Sequence, residues 1–145
     1  DAVWKWAPNG NSTRTSLTLQ GEYFRRLESG SLVYDEGGQA LADSFRSAQS
    51  GWYAQAVYKF LPEWRVGLRY DRLDVGNVNA SSNTANLYLP SYSPNRTTLM
   101  FDWAPSEYSR VRLQLAQDRA RYGLTDNQIM IQYMMSLGSH GAHGY

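Results

Sequence analysis

Two groups of residues carry the types and spacings that chemistry needs. The first is His140 and His143, the only two histidines among 145 residues, set in the stretch SLGSHGAHGY (136–145). An HxxH pair is half of a tetrahedral zinc site, which needs four ligands. On an extended chain, residues three apart face opposite sides, so both rings reach one ion only if the backbone bends. Gly138, Gly141 and Gly144 permit such a bend. Zinc contact at His140 and His143 is therefore one reading of this tail. The second group is charged: Arg65, Arg69, Asp71, Asp102, Arg110 and Arg112. Guanidinium groups bind carboxylates and phosphates through a two-pronged fork. These residues can line a path for an anion, or pair with one another and keep a polar surface satisfied. There is no cysteine to form a disulfide or a thiolate metal site. No GxSxG, HExxH or phosphate-cradling glycine loop occurs, so no enzyme is expected.

What positions these residues is a chain written almost wholly in period two. In GWYAQAVYKF (51–60), Trp52, Ala54, Ala56, Tyr58 and Phe60 share one face, and Tyr53, Gln55, Val57 and Lys59 the other. In WRVGLRYDRL (64–73), Trp64, Val66, Leu68 and Tyr70 oppose Arg65, Gly67, Arg69 and Asp71. TTLMFDW (97–103), SRVRLQLAQDR (109–119) and QIMIQYMMSL (128–137) alternate likewise. TSLTLQGEYFRR (15–26) and AVWKWA (2–7) do so more weakly, which makes seven strand candidates. QALADSFRSAQ (39–49) reads as a possible turn of helix within a loop.

Connections alternate between tight turns, at 8–14, 61–63 and 104–108, and long polar stretches, at 27–48, 74–94 and 119–126. A Gram-negative outer-membrane barrel has this layout, with short periplasmic turns and long extracellular loops. Strands of about 9–12 residues suit a tilted crossing of a bilayer. Aromatics stand beside the short turns as interface anchors: Trp4, Trp6, Phe60, Trp64, Trp103 and Tyr108. The expected fold is an all-β antiparallel transmembrane β-barrel, residues 1–145 forming a single barrel segment. A formal charge of +1 gives no reason to expect nucleic acid, and no apolar run is long enough for a membrane-spanning helix. The same alternation also fits a soluble lipocalin-like binding barrel with its apolar face turned inward. A structural or adhesive outer-membrane protein is a third class.

Seven strands is an odd number, and an intact single-chain bacterial barrel has an even one. Open edges in lipid leave backbone groups unpaired at several kcal/mol each. The expected partners are therefore the remaining N-terminal strands of the same protein, which fits a chain that does not open on Met.

VWKWAPNGN (3–11), GEYFRR (21–26), GWYAQAVYKFLPEWRVGLRYDRLD (51–74), RTTLMFDWAPSEYSRVRLQ (96–114) and IQYMMSLGSHGAHGY (131–145) together resemble the C-terminal region of proteobacterial outer-membrane proteins described as zinc-regulated TonB-dependent receptors or putative porins. A looser likeness extends to phosphate-selective porins. Ser139 stands where that family more often has Ala. The resemblance implies an outer-membrane location and passage of a small hydrophilic solute, anionic or metal-related. It does not imply energised transport, since neither a plug nor an energy-coupling box lies within these residues. It also frames the tail. Tyr133, Leu137 and Tyr145 continue the lipid-facing register and look like the signal that the barrel-assembly machinery reads, the alternative to a zinc site.

Overall fold

The computed structural model of the protein describes residues 1–87 and 91–136. They form one antiparallel sheet of seven strands: β1 (Ala2–Trp6), β2 (Ser16–Tyr34), β3 (Leu41–Leu61), β4 (Trp64–Asn79), β5 (Asn95–Ser106), β6 (Ser109–Arg119) and β7 (Asp126–Met135). Each strand pairs with its neighbour in sequence, β1 through β7 in order. The sheet is open: β1 and β7 do not pair with each other.

Register aligns the alternating residues across the whole sheet. Trp4, Leu19, Ala56, Leu68, Leu99, Leu115 and Ile129 make one continuous row over all seven strands. Trp6, Leu17, Tyr58, Val66, Phe101, Leu113 and Ile131 make the next. A one-residue slip at any ladder would mix the faces, and none occurs within this band. The two faces differ in shelter, and in the opposite sense to a water-soluble core. Leu68, Phe101 and Ile131 are 54%, 40% and 77% exposed, whereas Asp102 and Thr98 on the other face are 2% and 9% exposed. Crowding of one face is what curling toward that face produces, and here the polar face is the crowded one.

The span 27–48, expected as loop, is instead ladder. β2 and β3 stay paired from Phe24↔Gly51 to Tyr34↔Leu41, and only 35–40 turns between them. The expected helical turn at 39–49 is likewise strand from Leu41 onward. β4 also runs past Asp74 to Asn79, with a bulge opposite Gln49 where Val75 and Gly76 face one residue. Gly76 has φ +61°, and a Cβ there would lie 1.8 Å from the Ala48 carbonyl oxygen. Only glycine fits that bulge. Beyond Asn79 a 3-10 segment, Ser81–Asn86, takes over the β3 edge. Fully buried Asn83 donates Nδ2 to the Leu41 carbonyl at 2.8 Å. The Ser82 hydroxyl donates to Asp43 at 2.7 Å. The segment thus covers backbone that would otherwise be a free edge.

Candidate functional site: the polar face

The charged residues singled out in the sequence all fall on one face, because the register preserves their parity from strand to strand. Lys59, Arg65, Asp102, Arg112 and Gln132 form a row near the short turns. Two rows further along lies Gln20, Gln55, Arg69, Thr98, Ala116 and Gln128, and beyond it Glu22, Tyr53, Asp71, Arg96, Asp118 and Asp126.

Pairing divides these charges into compensated and free. Arg112 grips the buried Asp102 through both prongs, Nε to Oδ1 at 2.6 Å and Nη2 to Oδ2 at 2.9 Å. Arg69 pairs along its own strand with Asp71, Nη2 to Oδ1 at 2.7 Å, and its guanidinium carbon lies 3.8 Å over the Tyr53 ring. Gln20 donates to the Tyr53 hydroxyl, which donates to Glu22, and Gln55 donates to Gln20. Arg96 reaches Asp118 at 3.7 Å and donates to Gln128. Pairing of Arg65, Arg69 and Arg110 across strands with Asp71 and Asp102 is the expectation; of these only Arg69 is paired, with Asp71 along its own strand, and it is Arg112 that takes Asp102. Arg65, Arg110 and Lys5 have no ion-pair or side-chain hydrogen-bond partner among the described residues. Lys59 donates to the Ser12 carbonyl at 3.3 Å.

The face is also polarised along the strands. Lys5, Lys59, Arg65, Arg110 and Arg112 occupy the short-turn half against one carboxylate, Asp102. Glu22, Asp71, Asp118 and Asp126 occupy the other half with Arg69 and Arg96. Sequence reading missed Arg96 and Asp126, because the strands were drawn to start after them. Arg96 is nonetheless in step by twos with Thr98, Met100 and Asp102, and that signal was available.

Of the six expected interface aromatics, Trp64 and Trp103 stack at 6.0 Å next to the short turns. Phe60 lies two residues beyond Tyr58 on the same outward register, and Tyr108 belongs to the β5–β6 turn. Trp6 sits one row in from Trp64, and Trp4 a further row in, beside Leu19. An aromatic group that the sequence reading did not single out marks the opposite border: Tyr23 pairs with Trp52, which packs 5.5 Å from Tyr70. Tyr133 faces outward on β7 and is 62% exposed. Leu137, Tyr145, His140 and His143 lie outside the described residues. Among the described residues no cluster of three or more His, Asp or Glu could hold a metal ion.

No family model matches the chain, and no solved structure matches it. Among curated proteins, it is 32% identical over 135 residues to an uncharacterised protein of Aquifex aeolicus (strain VF5). The alignment takes in 89% of this chain and 27% of the Aquifex protein, so the chain spans little more than a quarter of its relative's length.

Proposed function

We propose that this sheet is part of a Gram-negative outer-membrane β-barrel whose polar face lines a channel for a small hydrophilic solute. One observation carries the reading: the exposed face is a continuous apolar band, and the sheltered face holds the charges. A soluble binding barrel has the reverse arrangement, and exposing two full rows of Leu, Ile, Val and aromatics to water invites aggregation. In lipid the same band is the favourable surface.

The outline of the band supports the reading further. Its far border falls from Tyr23 and Trp52 on β2 and β3, through Tyr70 on β4, to the Leu99–Leu115–Ile129 row. Its near border falls in parallel, from Leu17 on β2 to Met135 on β7, which pairs with Ser109. Each border drops four residues, about 13 Å of strand, over five interstrand spacings totalling about 24 Å. A level band then requires strands leaning by about 30°, close to the tilt of membrane barrels. From Phe60 to Trp52 the leaning band is about 23 Å tall, against the ~25 Å apolar belt of such barrels.

The two open edges need further strands, of the same protein or of another copy, before the sheet can sit in lipid. The family resemblance points the same way, and the Aquifex relative is long enough to supply them. Arg65 and Arg110, unpaired among the described residues, give the channel with Lys5 an anion preference at its short-turn end. In planar bilayers the full native protein should conduct, and Arg65→Gln with Arg110→Gln should move the reversal potential toward cations. Unmoved potentials would reject the preference, and silent bilayers the channel. The long β2–β3 hairpin favours a second role, binding at the outer mouth, which would survive loss of conductance.

A further inference from the structure

The outward register continues past both borders of the apolar band, and the two margins differ in charge. At the margin near the short turns it offers Thr15, Ser106 and Ser109, none of them charged. At the opposite margin it offers Arg25 on β2, Arg72 on β4 and Arg119 on β6. All three are exposed. Arg72 and Arg119 occupy one row, linked through Asn95 on β5, so about 10 Å separates their backbones. Arg25 lies two strands from Arg72 and one outward position further along, through Ser50 and Asp74. Asp74 approaches Arg72 at 3.3 Å and is the one carboxylate beside them on this register, an exposed contact that water screens. Arg25 and Arg119 have no side-chain partner among the described residues.

Inward of Arg25 and Arg72, past the Tyr23, Trp52 and Tyr70 border, the apolar face is dented. Gly21, Ala54 and Ala56 form the floor of a shallow depression walled by Trp4, Leu19 and Leu68. Cations above an apolar furrow match a lipid whose head group is anionic and whose acyl chain lies along the protein. The charges lie on the margin next to the long connections, the exterior side of such barrels.

We propose that Arg25, Arg72 and Arg119 form a docking girdle for the phosphorylated head groups of the glycolipid in the outer leaflet, with the Gly21–Ala54–Ala56 depression seating an acyl chain. This rests on the membrane-barrel reading. The guanidinium forks neutralise the phosphates, and the partner is the lipid rather than free phosphate, since the arginines continue the same outward register as the apolar band.

The test uses the full native protein in detergent, titrated with lipid A bearing both phosphates, with the same lipid stripped of phosphate, and with inorganic phosphate. The transition temperature should rise with the phosphorylated lipid alone. Arg25→Gln/Arg72→Gln/Arg119→Gln should bind it at least ~tenfold more weakly, while the matching Lys triple variant retains most of the effect. Insertion of each variant into phosphatidylcholine vesicles is scored alongside. Equal binding by wild type and the Gln variant, or equal stabilisation by the phosphate-free lipid or by inorganic phosphate, overturns the girdle while insertion keeps the barrel. Failure of the wild type to insert overturns the barrel reading and the girdle with it.

Discussion

Removing the Arg112 guanidinium would strand a carboxylate that is 2% exposed, because Asp102 has no other side-chain partner in the described residues. A buried charge left uncompensated costs about 3 kcal/mol or more. Arg112→Gln should therefore lower stability in urea unfolding by about that amount. Arg110→Gln, with no partner to strand among the described residues, should leave stability near wild type and, in the proposed channel, act on ion preference alone. The two arginines are neighbours in an alternating strand, and their sequence context does not separate them. Only the register, which sets Asp102 opposite Arg112 and Met134 opposite Arg110, does so. Outside the band, the Ser82 hydroxyl, then the Ser44 and Ser82 amides, hold Asp43 below its ordinary carboxylate value of 3.8. A depressed carboxyl contributes stability that is complete above the unfolded value and lost as pH falls through the folded one. The Ser81–Asn86 segment should stay clasped from neutral pH down to about pH 4 and loosen below it. Asn83→Ala, which removes the Nδ2 donor to the Leu41 carbonyl, should loosen it at every pH. Amide exchange across 80–86 reads both effects, and unchanged exchange in either would dismiss the clasp.

Among the elements, the seven strands within the apolar band were legible as strands because their two faces meet different surroundings, which imprints a period of two. The hairpin above the band was not. From Phe24 to Tyr34 and Leu41 to Gly51 one face is still the more sheltered, with Glu28, Leu32, Asp43, Phe45 and Ser47 on it, but polar and apolar residues are mixed on both faces, so FRRLESGSLVY carries no alternation and looks like loop. Periodicity is legible only where residue type follows shelter, and here Leu27 and Val33 stand on the open face while Asp43 and Ser47 stand on the sheltered one. The bulge at Gly76 lay equally out of sight, since a lone glycine in VGNVN has many uses. Gly76→Ala would force a methyl group onto the Ala48 carbonyl, at the price of about 2 kcal/mol or of the bulge itself. Proteolysis of the hairpin should then quicken while the strands within the band stay protected.

At the scale of the whole sheet, polarity is the property that decides where the molecule can live. Arginine at Leu68, near the middle of the outward face, should cost about 2–4 kcal/mol in a bilayer. Arginine at Gln114, on the sheltered face, should cost little. Measured by folding into lipid vesicles, equal losses at the two positions would refute the assignment of faces. The strand order has a kinetic side as well. Because each strand lies against the one made just before it, every ladder here closes a short stretch of chain, and contact order within the sheet is low. The sheet can grow as a zipper, its newest strand always serving as the template for the next. In the proposed barrel, loop-closure entropy of any size would enter only at the seam, when the first and last strands of the completed ring find each other. The rate of that single joining step, rather than the laying down of the strands, should govern how fast the protein matures.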